Sequence, residues 1–213
     1  DDHKGLPPLK EIYTQAGAAG TPTPTIDDTR YLELAQNEKA NKVELRRMVN
    51  AWAKAAGYIT RPVYHAGPEA ITIFDPTKTE GQEGAFFFAD NEKSAINYAK
   101  WKEALRWQSE RGAKTWSPVR KPEVVKAFLK MDNPKKYTDF WRDFTEDRLM
   151  RAPGSAPLFA DLESQGYDSV EIESDDWLDS GKFPVTGKQF IILNRPQNIK
   201  SAELVTRDAD GNI

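Results

Sequence analysis

The 213-residue chain contains no cysteine. That removes disulfides, thiolate nucleophiles and cysteine zinc sites together. Histidine is scarce as well: His3 and His65 are the two copies, so a multi-histidine metal centre is not expected. No apolar run approaches the roughly 18 residues that cross a bilayer, and no signal-peptide pattern is visible at Asp1. A soluble, cytoplasmic protein is expected. Positive charge is not in excess. Lys and Arg number 30 against 33 Asp and Glu, a net charge of −3, which argues against a surface built to hold duplex nucleic acid by counterion release. The patterns GxxxxGK(S/T), GxGxxG after a strand, HExxH and GxSxG are all missing. A P-loop kinase, a Rossmann dehydrogenase, a zincin and an α/β-hydrolase therefore lose support.

Aromatic residues are plentiful, with 6 Trp, 7 Tyr and 10 Phe, too many for a disordered chain. Length predicts one domain with an appended arm. Residues 1–27, with Gly17-Ala-Ala-Gly-Thr-Pro-Thr-Pro-Thr25, read as a flexible arm or linker. Residues 28–206 read as the domain, and 207–213 as a tail. Leu45, Met48, Val49, Trp52 and Ala56 share one helical face, and Gly57 is a stop. After Pro62 a short strand, Val63-Tyr64-His65, is predicted. Ala85–Ala89 reads as a compact apolar strand, then Asp90 or Asn91 caps a helix to about Glu110 that Gly112 closes. Further strands are predicted at 124–131, 168–173, 190–193 and 202–206. Helices are predicted around Phe140, Trp141 and Phe144 and over 158–165, the latter stopped by Gly166, and 175–187 reads as an acidic loop. Strands are not regularly joined by helices, so the expected class is α+β rather than doubly wound.

With neither thiols nor metal sites, chemistry falls to carboxylates, amides, hydroxyls, aromatics and one histidine. His65 ends a strand beside the small-residue turn Ala66-Gly67-Pro68, where a ring can be offered to a ligand. The half-buried strand histidine is the alternative. Phe86, Phe87 and Phe88 must face both sides of a sheet. Tyr98 lies on a helical face with Trp101 and Leu105. Glu171 and Glu173 stand two apart on a strand, on one face, and can act together or form a solvated edge. Glu173, Asp175, Asp176 and Asp179 lack the spacing of a calcium loop.

The order of these segments resembles the ADP-ribosyltransferase fold of the diphtheria-toxin and poly(ADP-ribose) polymerase type. More narrowly, it is similar to the ADP-ribosyltransferase-like domain of phage and mobile-element polyvalent proteins. Val63-Tyr64-His65-Ala66-Gly67 is similar to that family's "VYHGT" strand, and Phe74-Asp75-Pro76 to the loop that follows. Gly84-Ala-Phe-Phe-Phe-Ala-Asp90 with Ala95 and Tyr98-Ala99 resembles its "G-x-YF-x-D…A…YA" segment. Asp132-Asn133-Pro134, Gly166-Tyr167-Asp168-Ser169-Val170 and Gln189-Phe-Ile-Ile-Leu193 resemble later segments in the same order. The similarity runs from about Thr29 to Leu204 and takes in the leading helices.

The resemblance implies two small antiparallel sheets with NAD in the cleft between them, preceded by N-terminal helices. It implies that His65 hydrogen-bonds the adenosine ribose and that the Ala66 backbone holds the nicotinamide amide. Phe87 would lie beside the ribose, and Tyr98 would stack on nicotinamide. Gln189 falls where the catalytic glutamate usually stands. Ala66 replaces a glycine and Phe87 a tyrosine. The implied activity is NAD-dependent mono-ADP-ribosylation of a protein, or secondarily nucleic-acid, acceptor, with NAD as substrate and no metal, in an effector-like or toxin-like role. The alternative is an inactive module that binds NAD, ADP-ribose or a protein partner. Cleavage of the nicotinamide–ribose bond has oxocarbenium character, as glycoside cleavage does. An aromatic pair orients the leaving ring, and a carboxylate stabilises the developing charge. An amide at that position binds a hydroxyl but brings no full charge. Loss of one such group costs about 10²–10³ in rate.

Overall fold

In the computed structural model the described residues are 28–68, 71, 74–79, 85–111, 121–138, 156–173 and 187–205. The arm 1–27, the helix expected around Phe140–Phe144, Gly112, most of the acidic loop, and the tail lie outside them. The elements are α1 (Asp28–Ala35), α2 (Glu38–Ala55), β1 (Ile59–Gly67), β2 (Ala85–Ala89), α3 (Glu92–Arg111), β3 (Glu123–Leu129), β4 (Pro134–Tyr137), α4 (Ala156–Ser164), β5 (Ser169–Ile172), β6 (Gln189–Leu193) and β7 (Ile199–Ser201). The class is α+β, as expected.

The leading helical stretch is two helices. Asn37 starts the second, its side chain accepting from Ala40 N at 3.3 Å, while Asn41 donates to the Leu34 carbonyl at 2.9 Å. Two asparagines thus satisfy the backbone groups that a helix break exposes. Gly57 ends α2 at φ +82°, where a residue without Cβ is favoured. Strand β1 begins before Pro62 rather than after it. Its pairing to β3 shifts register between Ile59 and Val63, and an irregularity of that kind tolerates a residue with no N–H.

The sheet order is β4-β5-β6-β2-β1-β3-β7. This corrects the expectation of two small antiparallel sheets. There is one seven-stranded sheet, and β4 and β5 run parallel because α4 lies between them in sequence and returns the chain in the same direction. The junction of β2 with β1 is nonetheless slight. Along its other edge β2 pairs with β6 from Ala85↔Leu193 to Ala89↔Gln189. Towards β1 the register contains Tyr64↔Ala89 alone. The sheet is two well-paired halves joined at one point.

Alternation across the pleat divides the core. Ala85, Val170, Ile172, Ile191 and Leu193 pack under Leu158, Phe159 and Leu162 of α4, with Phe87 against them. Phe86 and Phe88 point the other way, towards Val63, Leu129 and Ile192, so the triple Phe does serve both faces. Helix α2 sets Ala53 against Phe128 and Ala202. The last strand is Ile199–Ser201 rather than 202–206. Ala202 N makes one more bond to Lys126 O at 3.0 Å, and then the chain leaves the ladder. Leu204 packs on Leu34 and Leu45, and Tyr31 Oη donates to its carbonyl at 3.0 Å. Beyond Ala202 the apolar residues Leu204 and Val205 serve the helices, not the sheet.

Candidate functional site

A cleft opens where β1 and β2 part. Beyond Tyr64↔Ala89 the two strands make no further register pairs, and a side chain takes over. His65 Nδ1 donates to the Phe87 carbonyl at 2.7 Å. A carbonyl only accepts, so this bond places the proton on Nδ1 and leaves Nε2 as the acceptor of the neutral ring. Burial holds the imidazole below its ordinary pKa. The Phe87 bond opposes that shift, and the field of Lys102 adds to it. Edge contact with Phe74 (centroids 5.5 Å, planes at 82°) and a tilted contact with Phe88 (5.6 Å) fix the ring plane.

Helix α3 supplies the facing wall. Asn91 is its cap, accepting from Ser94 N at 2.9 Å, which selects between the two expected capping residues. Ser94 and Ala95 are buried in the first turn and Tyr98 follows on the same face. The Tyr98 and Phe87 rings lie stacked, centroids 6.0 Å apart and planes at 14°, with Phe159 of α4 packed against Phe87 at 6.0 Å. A flat ring between them needs two contact layers of about 3.5–4.0 Å each. The pair must therefore separate by one ångström or more before it can hold a ligand ring between its faces.

Gln189 closes the cleft from β6. It pairs with Ala89 on one side and Ile172 on the other, in one cross-strand row with Tyr64. Residues directly opposite share a face. Its side chain is 6% exposed, and its Nε2 has no hydrogen-bond partner. Tyr64, His65, Ala66, Phe87, Phe88, Ala89, Ser94, Ala95, Tyr98 and Gln189 together bound about 320 Å³, part of it open to solvent. All five residues singled out from sequence thus line one cleft. Tyr64, Phe88, Ala89, Ser94 and Ala95 were missed. Ser94 had a signal, since it lies four residues before Tyr98 on the same helix. Tyr64 and Phe88 depend on where the sheet splits, which no local pattern carries.

The paired glutamates lie elsewhere. Glu171 is opposite Phe190, one residue out of phase with Gln189, so it occupies the other face of the sheet. Lys188 Nζ bonds Glu171 at 2.8 Å and Glu173 at 2.6 Å. These contacts raise the Lys188 pKa well above its ordinary value and lower that of Glu173. The pair is an ion-paired edge, not a second acid beside Gln189. Asp175, Asp176 and Asp179 lie outside the described residues. Among the described residues no three His, Asp or Glu side chains gather as a metal site, and no helix is long and apolar enough to cross a membrane.

A family model described as ADP-ribosyltransferase in polyvalent proteins matches residues 60–206, more than half of the chain. The chain belongs to this family. A search of curated proteins found no match. The match to the ADP-ribosyltransferase family begins within β1 and spans every strand and every cleft residue. Helices α1 and α2 fall before it, so the similarity expected from Thr29 extends less far towards the N-terminus.

Proposed function

We propose that this domain is an NAD-dependent mono-ADP-ribosyltransferase that moves ADP-ribose to a macromolecular acceptor, a protein ahead of a nucleic acid. The observation that carries the reading is convergence. His65, Ala66, Phe87, Tyr98 and Gln189 come from β1, β2, α3 and β6 and line one cleft. A buried amide nitrogen without a partner, as at Gln189, is costly unless a ligand supplies an acceptor. A ribose hydroxyl meets that need, so the residues present fit the substrate. His65 Nε2 accepts from a second hydroxyl, and Phe87 and Tyr98 part to hold the leaving ring. NAD brings its own leaving group, which suits a chain without thiols. A role as a phage-borne or mobile-element effector is the biological setting proposed.

Gln189 favours a second reading, a module that binds NAD or ADP-ribose and leaves it intact. An amide orients the ribose but does not stabilise positive charge as a carboxylate does. Release of free nicotinamide from NAD distinguishes the two, measured for the wild type, His65→Ala and Gln189→Glu. Release that His65→Ala abolishes supports the transferase. Release by Gln189→Glu alone supports the binding module. Release by none takes the enzymatic reading down.

A further inference from the structure

We propose that the ring-binding end of the cleft does not select its ligand by charge, and that it takes the uncharged, reduced dinucleotide NADH as readily as the cationic NAD⁺. The inference rests on the proposal that this cleft is a dinucleotide site. Three observations carry it. First, none of the described residues that line the cleft bears a formal charge, with His65 kept neutral by burial and its proton placed on Nδ1 by the Phe87 carbonyl. Second, the buried polar group closest to a charge-selecting role is an amide. Gln189 is 6% exposed and its Nε2 lacks a partner, so it asks the ligand for an acceptor and offers no counter-charge. The ribose hydroxyls that answer it are the same in both redox forms. Third, the carboxylates near the cleft are engaged elsewhere: Glu171 and Glu173 lie on the opposite face and are held by Lys188, and Asp90, next to Ala89, accepts from Asn91 Nδ2 and pairs with Arg61. The charge that acts on His65 from α3 is the cation Lys102, which disfavours a second cation.

The two ring faces, Phe87 and Tyr98, attract a cation by about 2- to 5-fold over a neutral ring. A carboxylate in place of Gln189, about 6 Å from the ring in a site of effective dielectric about 20, would add roughly 100-fold. The difference is wide enough to read. It has a consequence for the proposed reaction. The dihydronicotinamide nitrogen of NADH is uncharged and a poor leaving group, so NADH occupies the cleft without turning over and competes with NAD⁺.

Calorimetric titration of the purified chain with NAD⁺ and, separately, with NADH tests this. Dissociation constants within tenfold of each other are expected. For Gln189→Glu the ratio should move by about 10–100-fold towards NAD⁺. Gln189→Met, which removes the amide and adds no charge, should weaken both ligands and leave the ratio within tenfold. Tenfold or tighter preference of the wild type for NAD⁺ overturns the inference and leaves the dinucleotide site standing. A ratio that Gln189→Glu does not move overturns it as well. Binding of neither dinucleotide removes the dinucleotide site itself, and this inference with it.

Discussion

Gly166-Tyr167-Asp168 and Gly187-Lys188-Gln189 lead into neighbouring strands, β5 and β6, by the same local device. Each glycine sits at φ +88°, and each is followed two residues later by a buried polar side chain, 2% exposed for Asp168 and 6% for Gln189. There the likeness ends. The Asp168 carboxylate accepts from Asp132 N (2.7 Å), Asn133 N (3.1 Å) and Ser169 Oγ (2.6 Å). It ties the β3–β4 turn to β5, and its burial is fully answered by donors. The Gln189 Nε2 is answered by none. A buried polar group with its bonds made is architecture. One left without them, in a cleft, is the group that the proposed function assigns to a ligand.

The largest effect expected from this contrast is on stability at Asp168. Asp168→Ala strands two backbone N–H groups and a hydroxyl and should cost about 3 kcal/mol in urea unfolding. A loss below 1 kcal/mol would break the comparison. Next come the glycines. An alanine at either φ costs about 1–2 kcal/mol. At Gly166 an added Cβ meets nothing within 4 Å, but at Gly187 it would collide with the Asp90 carboxylate, so Gly187→Ala should be the more destabilising and should also disturb the cleft. Equal costs would mean that Asp90 moves aside freely.

Gln189→Leu should leave stability unchanged or raise it by up to about 1 kcal/mol, because it removes a stranded donor, while NAD binding falls tenfold or more. A clear loss of stability would show that Gln189 is architectural after all. The His65 pKa is lowered by burial, so the unfolded chain binds the proton first. Stability is complete above the unfolded value of about 6.5 and declines as pH falls below it, levelling under the folded pKa. The pH profile of His65→Gln should lack that decline, so that subtracting it from the wild-type profile isolates the histidine's contribution. The smallest effect is on the opposite face of the sheet. Glu173→Gln should leave the thermal midpoint within experimental scatter, since the Glu173 side chain is exposed and such pairs add little.

Much of the fold was legible where the period was clean. Ala85–Ala89 is a strand between the residues expected, and α2 buries Leu45 and closes at Gly57. Strand β4 was not legible, because Asp132-Asn133-Pro134 signals a turn and Lys135-Lys136 an exposed edge. Its pairing comes from the parallel partner β5, thirty-odd residues on. Strand β7 was misplaced because the apolar residues beyond Ala202 pack on helices. The cleft residues were legible only in their order along the chain. Their meeting depends on the register of β2 with β6 and on the point at which β1 leaves β2, both set by partners far away in sequence.

That remoteness has a consequence in time. Strand β2 ends at Ala89, yet its full-length partner is residues 189–193, and β5 too waits for β6 to reach the rest of the sheet. During synthesis at about 5–20 residues per second, the first wall of the cleft leaves the ribosome several seconds or more before the last. For that interval the nascent chain carries His65, Phe87 and Tyr98 but no Gln189 to close the cleft. The site is completed late in translation of this domain, when β6 slots between two strands already made.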